Sequence, residues 1–147
     1  MATGTGGVTV GTRIEDHMAI ERLCADFAHE LDRGTAEGFA ALFTQDAIYT
    51  HGARILSGRD NLLQFAKNRL ASGPRTSRHV ITGLRIDFET EDRATGVSCC
   101  TTFSAAGEAP IASTIPAGVA DFIDQYRRID GVWLFAHRTI HPAFKAA

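Results

Sequence analysis

The chain of 147 residues is long enough for one domain with a single core and too short for two ordinary domains. Its hydrophobic content of 44% and charged content of 22% are typical of a soluble globular protein. The net charge of −2 excludes binding to nucleic acid or to an anionic membrane by bulk electrostatics, and no apolar run approaches the roughly 20 residues that span a bilayer.

The N-terminal segment, residues 1–11, is rich in Gly and Thr and lacks the basic start and apolar core of a signal peptide. We expect it to be a disordered tail before a single domain at residues 12–147. The three cysteines are odd in number and have no zinc-site spacing, which favours reduced thiols in the cytoplasm. The alternative for the adjacent Cys99 and Cys100 is a redox-active pair.

The pattern of residues 12–34 predicts the long amphipathic helix around which the rest of the chain is organised. Thr12 followed by Glu15 has the spacing of a capping box, and Gly34 is a typical end of a helix. The apolar stripe has helical spacing and comprises Ile20, Leu23, Cys24, Phe27, Ala28 and Leu31.

Asp32 lies at the edge of this stripe, near the end of the helix. An ionised carboxylate directed at a core is costly unless a partner compensates its charge. Two interpretations stay open: Asp32 faces solvent or the following turn, or a His or Arg from elsewhere in the chain pairs with it.

Two shorter helices and a hairpin follow. We predict helices at residues 35–43 and 59–71 and strands at residues 47–52 and 54–56. Alternation along the first strand places Tyr49 and His51 on one side. The inward residues of the two helices are predicted to be Phe39, Leu42, Phe43, Leu62, Leu63, Phe65, Ala66 and Leu70.

From residue 76 onward the pattern is that of β-structure. Strands are predicted at 76–90, 94–104, 118–127 and 132–140, with turns at 44–46 and 91–93, a loop at 105–110 and a hairpin signal at 129–131. Three N-terminal helices followed by long strands indicate an α+β fold, in which the helices pack on a strongly curved, mostly antiparallel sheet.

His79 opens the first of these long strands, and the direction of its side chain depends on Gly83. Strict alternation would direct His79 away from the face that carries Leu84. A glycine inside a strand often marks a bulge, which shifts the facing of all residues on one side of it. With a bulge at Gly83, His79 joins the core face; without one, it is a surface residue.

On the last strand, alternation predicts two opposite faces. One carries Leu134, Ala136, Arg138 and Ile140, and the other Trp133, Phe135, His137 and His141. Arg138 is then a charge among apolar neighbours, with an edge arginine that extends to water as the alternative. The spacing of His137 and His141 does not form a metal site on a strand. Because these strands are apolar on both faces, we expect a homodimer or homotrimer.

The sequence contains no Gly-rich phosphate loop, no nucleophile elbow and no HExxH motif. What remains is a set of polar residues at positions predicted to be interior, namely Asp32, Tyr49, His51, His79 and Arg138.

The order of these elements, with the segments ELDRG, LFTQDAIYTHG, SRHVITGLRIDF and YRRIDGVWLFAHRTI, resembles the SnoaL-like branch of the nuclear transport factor two-like superfamily. The resemblance spans about residues 13–144. It implies a cone-shaped α+β barrel with one deep pocket. Enzymes of this branch include scytalone dehydratase and hexachlorocyclohexane dehydrochlorinase, in which a His–Asp dyad abstracts a proton from a small, mostly apolar substrate.

By this resemblance, Asp32 and His79 occupy the dyad positions. His51 corresponds to the place of a pocket Tyr of the dehydratase, with Tyr49 on the same face, and Arg138 to an active-site Arg of the dehydrochlorinase. Three positions depart from the family members. Phe27 stands where the dehydrochlorinase has a pocket Lys, Leu31 replaces a Tyr of the dehydratase, and Thr102 or Ser104 falls near its second His. Substrate identity therefore does not transfer.

We therefore predict a cofactor-independent lyase, of the dehydratase type, that acts on a small cyclic or aromatic compound. Asp32 and His79 are the expected catalytic residues, and Phe27, Tyr49, His51 and Arg138 are expected to bind the substrate. The alternatives are a non-catalytic domain that binds a ligand or partner, since fold does not imply function, and isomerase, cyclase or hydrolase chemistry in the same pocket.

Overall fold

A computed structural model describes residues 13–112 and 115–147. The predicted tail at residues 1–11 and the predicted cap at Thr12 lie outside the described residues. The helices are α1 (Ile14–Arg33), α2 (Ala36–Ala41) and α3 (Arg59–Ala71), and the strands are β1 (Phe43–His51), β2 (Arg54–Ser57), β3 (Arg75–Phe88), β4 (Arg93–Ala106), β5 (Gly118–Ile129) and β6 (Val132–Lys145). None of the described helices is long and apolar enough to cross a membrane.

The predicted α+β fold is confirmed. The strands form one curved, open sheet in the order β2-β1-β6-β5-β4-β3, so β2 and β3 are its edges. Every neighbouring pair is antiparallel except β1 and β6, which run parallel. The helices cover the inner face of the sheet, and the aromatic side chains between them form the core, with the Phe27 ring centroid 5.6 Å from that of Phe39 and 5.9 Å from that of Phe135.

Phe43, predicted as the end of a helix, lies in a strand instead, and Leu70 lies in its predicted helix but is exposed. Phe43 is the first residue of β1 and pairs with Phe135 of β6, so the segment predicted as a turn at residues 44–46 is strand with an irregular register. Burial of Phe43 against β6 outweighs its helical spacing. Leu70, predicted to face inward, is 59% exposed at the end of α3.

Gly34 ends α1, as predicted, but for a steric reason. Its backbone is extended, with φ −93°, so no left-handed conformation requires glycine here. A β-carbon at this position would lie 2.5 Å from the Cα atom of Glu30 and 2.0 Å from its Oε2. The backbone of Glu30 cannot move aside as its side chain can, so this contact disfavours any larger residue.

The predicted bulge at Gly83 is present and turns His79 inward. Gly83 has φ +66°, and the register of β3 with β4 shifts between Thr82 and Arg85. The left-handed conformation favours glycine because a β-carbon would be strained there. The inward residues change from odd to even numbers across the bulge: Ser77, His79 and Ile81 before it, Leu84, Ile86 and Phe88 after it.

A second bulge, at Ala136 of β6, was not predicted. Tyr126 pairs with Phe135 and Gln125 with His137, so Ala136 is left without a cross-strand partner. The two predicted faces of β6 are therefore wrong beyond Phe135, and Trp133, Phe135, Arg138 and Ile140 share the buried face.

Candidate active site

A cavity of about 980 Å³ opens between α3, the β1–β2 hairpin and the ends of β4, β5 and β6. Its floor is apolar and aromatic, as in most small-molecule sites. The floor is formed by Phe27, Leu31, Tyr49, Phe65, Phe122 and Ile140. The mouth is lined by exposed polar and basic side chains.

His79 lines the wall of this cavity, and Asp32 contacts it from behind the wall. Nδ1 of His79 lies 2.6 Å from Oδ1 of Asp32, and the backbone N–H of His79 donates to Oδ2 at 2.8 Å. The Ser77 hydroxyl donates to Oδ1 of the same carboxylate at 2.7 Å. Only 11% of the His79 side chain and 4% of the Asp32 side chain are exposed. The end of α1 supplies the carboxylate, and the Gly83 bulge supplies the inward direction of the imidazole.

The charge state of Asp32 follows from these contacts. Burial alone raises its pKa, but the hydrogen bonds from the His79 ring, the His79 backbone and Ser77 outweigh burial and hold the pKa of Asp32 below its usual value. The carboxylate is therefore ionised at neutral pH and accepts the proton on Nδ1. Nε2 of neutral His79 is then unprotonated, which is the form that a general base requires.

Ser77 and Arg69 complete this cluster, and neither was predicted from the sequence. Nη2 of Arg69 donates to the Ser77 hydroxyl at 3.2 Å, so the hydroxyl links the guanidinium to the Asp32 carboxylate. Ser77 is two residues before His79, and strand alternation would have placed both on one face. Arg69 lies in the last turn of α3 and carries no comparable signal, because an arginine there is common on a solvated surface.

Tyr49 and His51 both line the cavity, at different depths. Tyr49 is 4% exposed, and burial raises the pKa of its phenol to about 12, so the hydroxyl is protonated at neutral pH and can donate a hydrogen bond. His51 is exposed at the mouth, where partial burial and then the charge of Arg54 lower its pKa. Phe27 is also among the lining residues, although none of its surface is exposed.

Arg138 does not line the cavity, contrary to the expectation. It is fully buried behind the rings of Phe27 and Phe122, at 4.2 and 4.4 Å from their centroids. Its Nε and Nη2 donate to the two carboxylate oxygens of Asp124, at 2.8 and 2.7 Å. The Ala136 bulge turns Arg138 into the core, and Asp124 on the neighbouring strand compensates its charge.

No three His, Cys, Asp or Glu side chains converge as metal ligands within residues 13–112 and 115–147. Nε2 of His137 lies 3.2 Å from the Thr139 hydroxyl, and His141 is exposed.

Comparison with known proteins relates this geometry to a family. Residues 12–139 match the SnoaL-like domain. The chain is 28% identical over 133 residues to gamma-hexachlorocyclohexane dehydrochlorinase of Sphingobium indicum. The aligned region covers 86% of this chain and 80% of the relative. It superposes on the crystal structure of LinA with a TM-score of 0.76 and 26% identity over 92% of each chain.

A further solved structure shows the fold alone. It is from Novosphingobium aromaticivorans, with a provisional assignment as a scytalone dehydratase, and it superposes with a TM-score of 0.81 at 23% identity, covering 94% of this chain and 91% of that one. The similarity to the dehydrochlorinase supports a lyase-type enzyme family.

Proposed function

Because the chain belongs to the SnoaL-like family, we propose that it is a cofactor-independent lyase that removes a proton from a small cyclic or aromatic substrate and releases a leaving group from the neighbouring carbon. The single observation that carries this proposal is the 2.6 Å contact between His79 and Asp32 at the wall of an apolar cavity. We propose Asp32 and His79 as the catalytic pair, with Phe27, Tyr49 and His51 as substrate-binding residues.

In the proposed reaction, Nε2 of His79 accepts a proton from a C–H bond of the substrate. The electron pair of that bond forms a C=C bond as the leaving group departs with its own bonding pair. Asp32 stabilises the imidazolium that forms and holds the ring in the required tautomer, as the buried Asp does in a Ser–His–Asp triad. His79 then returns the proton to the departing hydroxide or to solvent.

Tyr49 is the proposed donor to the substrate. Its phenol is protonated at neutral pH, and Tyr49 is one of the residues that line the cavity. A hydrogen bond from this hydroxyl to a carbonyl oxygen would stabilise the negative charge that develops when the neighbouring C–H bond breaks. The name of the Sphingobium relative indicates elimination of hydrogen chloride; here, dehydration is the subtype we propose, because a protonated phenol can also assist a departing hydroxyl.

The proposal is tested by following C–H signals of a substrate panel by proton NMR in D2O. The panel contains cyclic β-hydroxyketones, cyclic ketones with acidic α C–H bonds and gamma-hexachlorocyclohexane, for which chloride release is measured in parallel. We expect exchange or elimination with the natural chain and none with His79→Ala. Exchange that His79→Ala leaves unchanged would contradict the proposal. Binding of panel members without exchange would favour a ligand-binding domain, and exchange without elimination an isomerase.

We also propose that the protein is a cytoplasmic homo-oligomer, a dimer or trimer. Val97 and Ile123 are cross-strand partners on the outer face of the sheet and are 44% and 45% exposed. Val80, on the same face of the edge strand, is 46% exposed. Apolar residues on neighbouring strands of one face favour contact with a second copy. The free cysteines fit a reducing compartment.

A further inference from the structure

We propose that the substrate carries an anionic oxyacid group, which binds to the arginines at the cavity mouth while the apolar part of the substrate occupies the floor. This inference rests on the proposed function and names the class of substrate for the same site.

The first observation is the distribution of charge around the cavity. Of the described residues that line it, four are Arg or Lys and none is Asp or Glu; the basic ones are Arg54, Arg69, Arg75 and Lys145. The whole chain has a net charge of −2, so this positive lining does not reflect an excess of basic residues. A cleft lined by one sign of charge with apolar walls concentrates ligands of the opposite sign.

The second observation is that these cations have no carboxylate partner. None of the ion pairs between described residues involves any of the four. Neutral groups orient the arginines instead: Arg69 donates to the Ser77 hydroxyl, Nη1 of Arg75 donates to the Ser104 hydroxyl at 2.9 Å, and the Arg54 guanidinium lies 5.3 Å from the centroid of the Phe65 ring.

Buried arginines elsewhere in the same chain are paired. Arg138 contacts Asp124, and Arg13 contacts Asp16 at 2.8 Å. Half-buried Arg69 has no such partner: its only side-chain hydrogen bond within the described part of the chain is to a hydroxyl. Burial lowers the pKa of Arg69, and the charge of Arg75 lowers it further, so an anion between the two guanidinium groups would relieve both effects.

The position of Arg69 fits a role in orienting the substrate toward the base. One hydroxyl separates its guanidinium from the Asp32 carboxylate, which contacts His79. An anionic group on Arg69 would therefore hold the adjoining ring against the wall that carries His79, above the aromatic floor. The planar guanidinium matches a carboxylate or a phosphate through two parallel hydrogen bonds.

The experiment compares probes of one shape and different charge. Binding of 2-naphthoate, 2-naphthyl phosphate and neutral 2-naphthamide to the full chain is measured by calorimetry at low and high salt. We expect an anionic probe to bind at least about tenfold more tightly than the amide, and the difference to shrink as salt screens the charges. The stronger of the two anionic probes distinguishes a carboxylate from a phosphate substrate.

Arginine variants show which side chains cause the tighter binding of the anionic probes. We expect Arg69→Met to remove most of the affinity difference between the anions and the amide, Arg75→Met to reduce the difference, and Arg69→Lys to keep part of the difference. Arg85→Met is the matched control, because Arg85 is exposed on β3 and does not line the cavity; it should change nothing. Circular dichroism confirms that each variant is folded.

The inference is wrong if the amide binds as tightly as the anions, if none of the probes binds, or if Arg69→Met and Arg75→Met both keep the full preference. Its failure differs from that of the proposed function. His79→Ala should keep the charge preference, so a preference without any turnover would overturn the lyase and leave the anion site. Turnover without a preference would overturn the anion site alone.

Discussion

The carboxylate of Asp32 accepts two hydrogen bonds from His79, one from ring atom Nδ1 at 2.6 Å and one from the backbone N–H at 2.8 Å. The two bonds tie the end of α1 to both the main chain and the side chain of one residue in the edge strand β3. The imidazole is therefore oriented without any contribution from a loop. This rigidity underlies the first three predictions.

Asp32→Asn should lower kcat by several orders of magnitude while the fold is kept. Asparagine retains the shape, but its amide can donate to Nδ1 and thereby favour the tautomer that carries the proton on Nε2. The corresponding change in a Ser–His–Asp triad costs about 10⁴-fold. The measurement is kcat on the best member of the NMR panel, with circular dichroism to confirm folding. A loss of less than about tenfold would show that tautomer control by Asp32 is unimportant.

Ser77→Ala should raise the pKa of the Asp32 carboxyl, measured from the pH dependence of its carboxyl carbon signal by NMR. Ser77 is a positioning residue, and removing its hydrogen bond takes away one of the contacts that lower the pKa of Asp32. The matched control is Ser98→Ala, since Ser98 is also a buried strand serine and its hydroxyl has no hydrogen-bond partner within the described residues. An equal shift in both variants would exclude a specific role of Ser77.

The stabilising effect of the Asp32 contacts should depend on pH in one direction. Because the pKa of Asp32 in the folded state is depressed below the usual aspartate value of 3.8, this contribution is fully present above that value and is lost as pH falls through the lower folded-state pKa. The difference in free energy of unfolding between the natural chain and Asp32→Asn should therefore shrink as pH falls below about 4, where Asp32 gains a proton. Urea denaturation between about pH 5 and 2 measures it. A difference that stays constant or grows below about pH 4 would contradict the assignment.

Gly83→Ala should lower both stability and activity, whereas Gly131→Ala should lower stability alone. Both glycines have positive φ, +66° and +79°, and neither has an atom within 4 Å of an added β-carbon, so each variant suffers backbone strain of about 1–2 kcal/mol. Only the Gly83 bulge sets the facing of His79. Urea denaturation and kcat are measured on both variants. Equal activities would show that the bulge does not depend on glycine.

If the outer face of the sheet is the contact between copies, charged residues introduced there should separate the oligomer into monomers. Light scattering at micromolar concentration should give a dimer or trimer for the natural chain and a monomer for the double variant Val97→Glu, Ile123→Lys. The control is Met18→Glu, because Met18 is 62% exposed on α1, away from the sheet. A monomeric natural chain would refute the proposal.

The sequence predicted the parts of this site that depend on local pattern. The period of the apolar stripe predicted that Asp32 lies at the edge of the buried face of α1. The glycine within β3 indicated the bulge that turns His79 inward. The bulge at Ala136 has no such signal, because alanine is compatible with ordinary strand, and the faces of β6 were therefore assigned wrongly beyond it. Arg69 was missed for a different reason: its role depends on contacts with β3, which no local period encodes.

The ion pair between Arg138 and Asp124 also has a consequence for how β5 and β6 align. These residues are direct cross-strand partners, and both are completely buried. A slip of one residue between the strands would leave a buried arginine and a buried carboxylate unpaired, and breaking such a pair costs about 3–5 kcal/mol. A misaligned sheet that keeps equivalent apolar contacts would still carry that penalty. The pair therefore acts as a register lock, which selects one alignment of the strands that form the cavity floor.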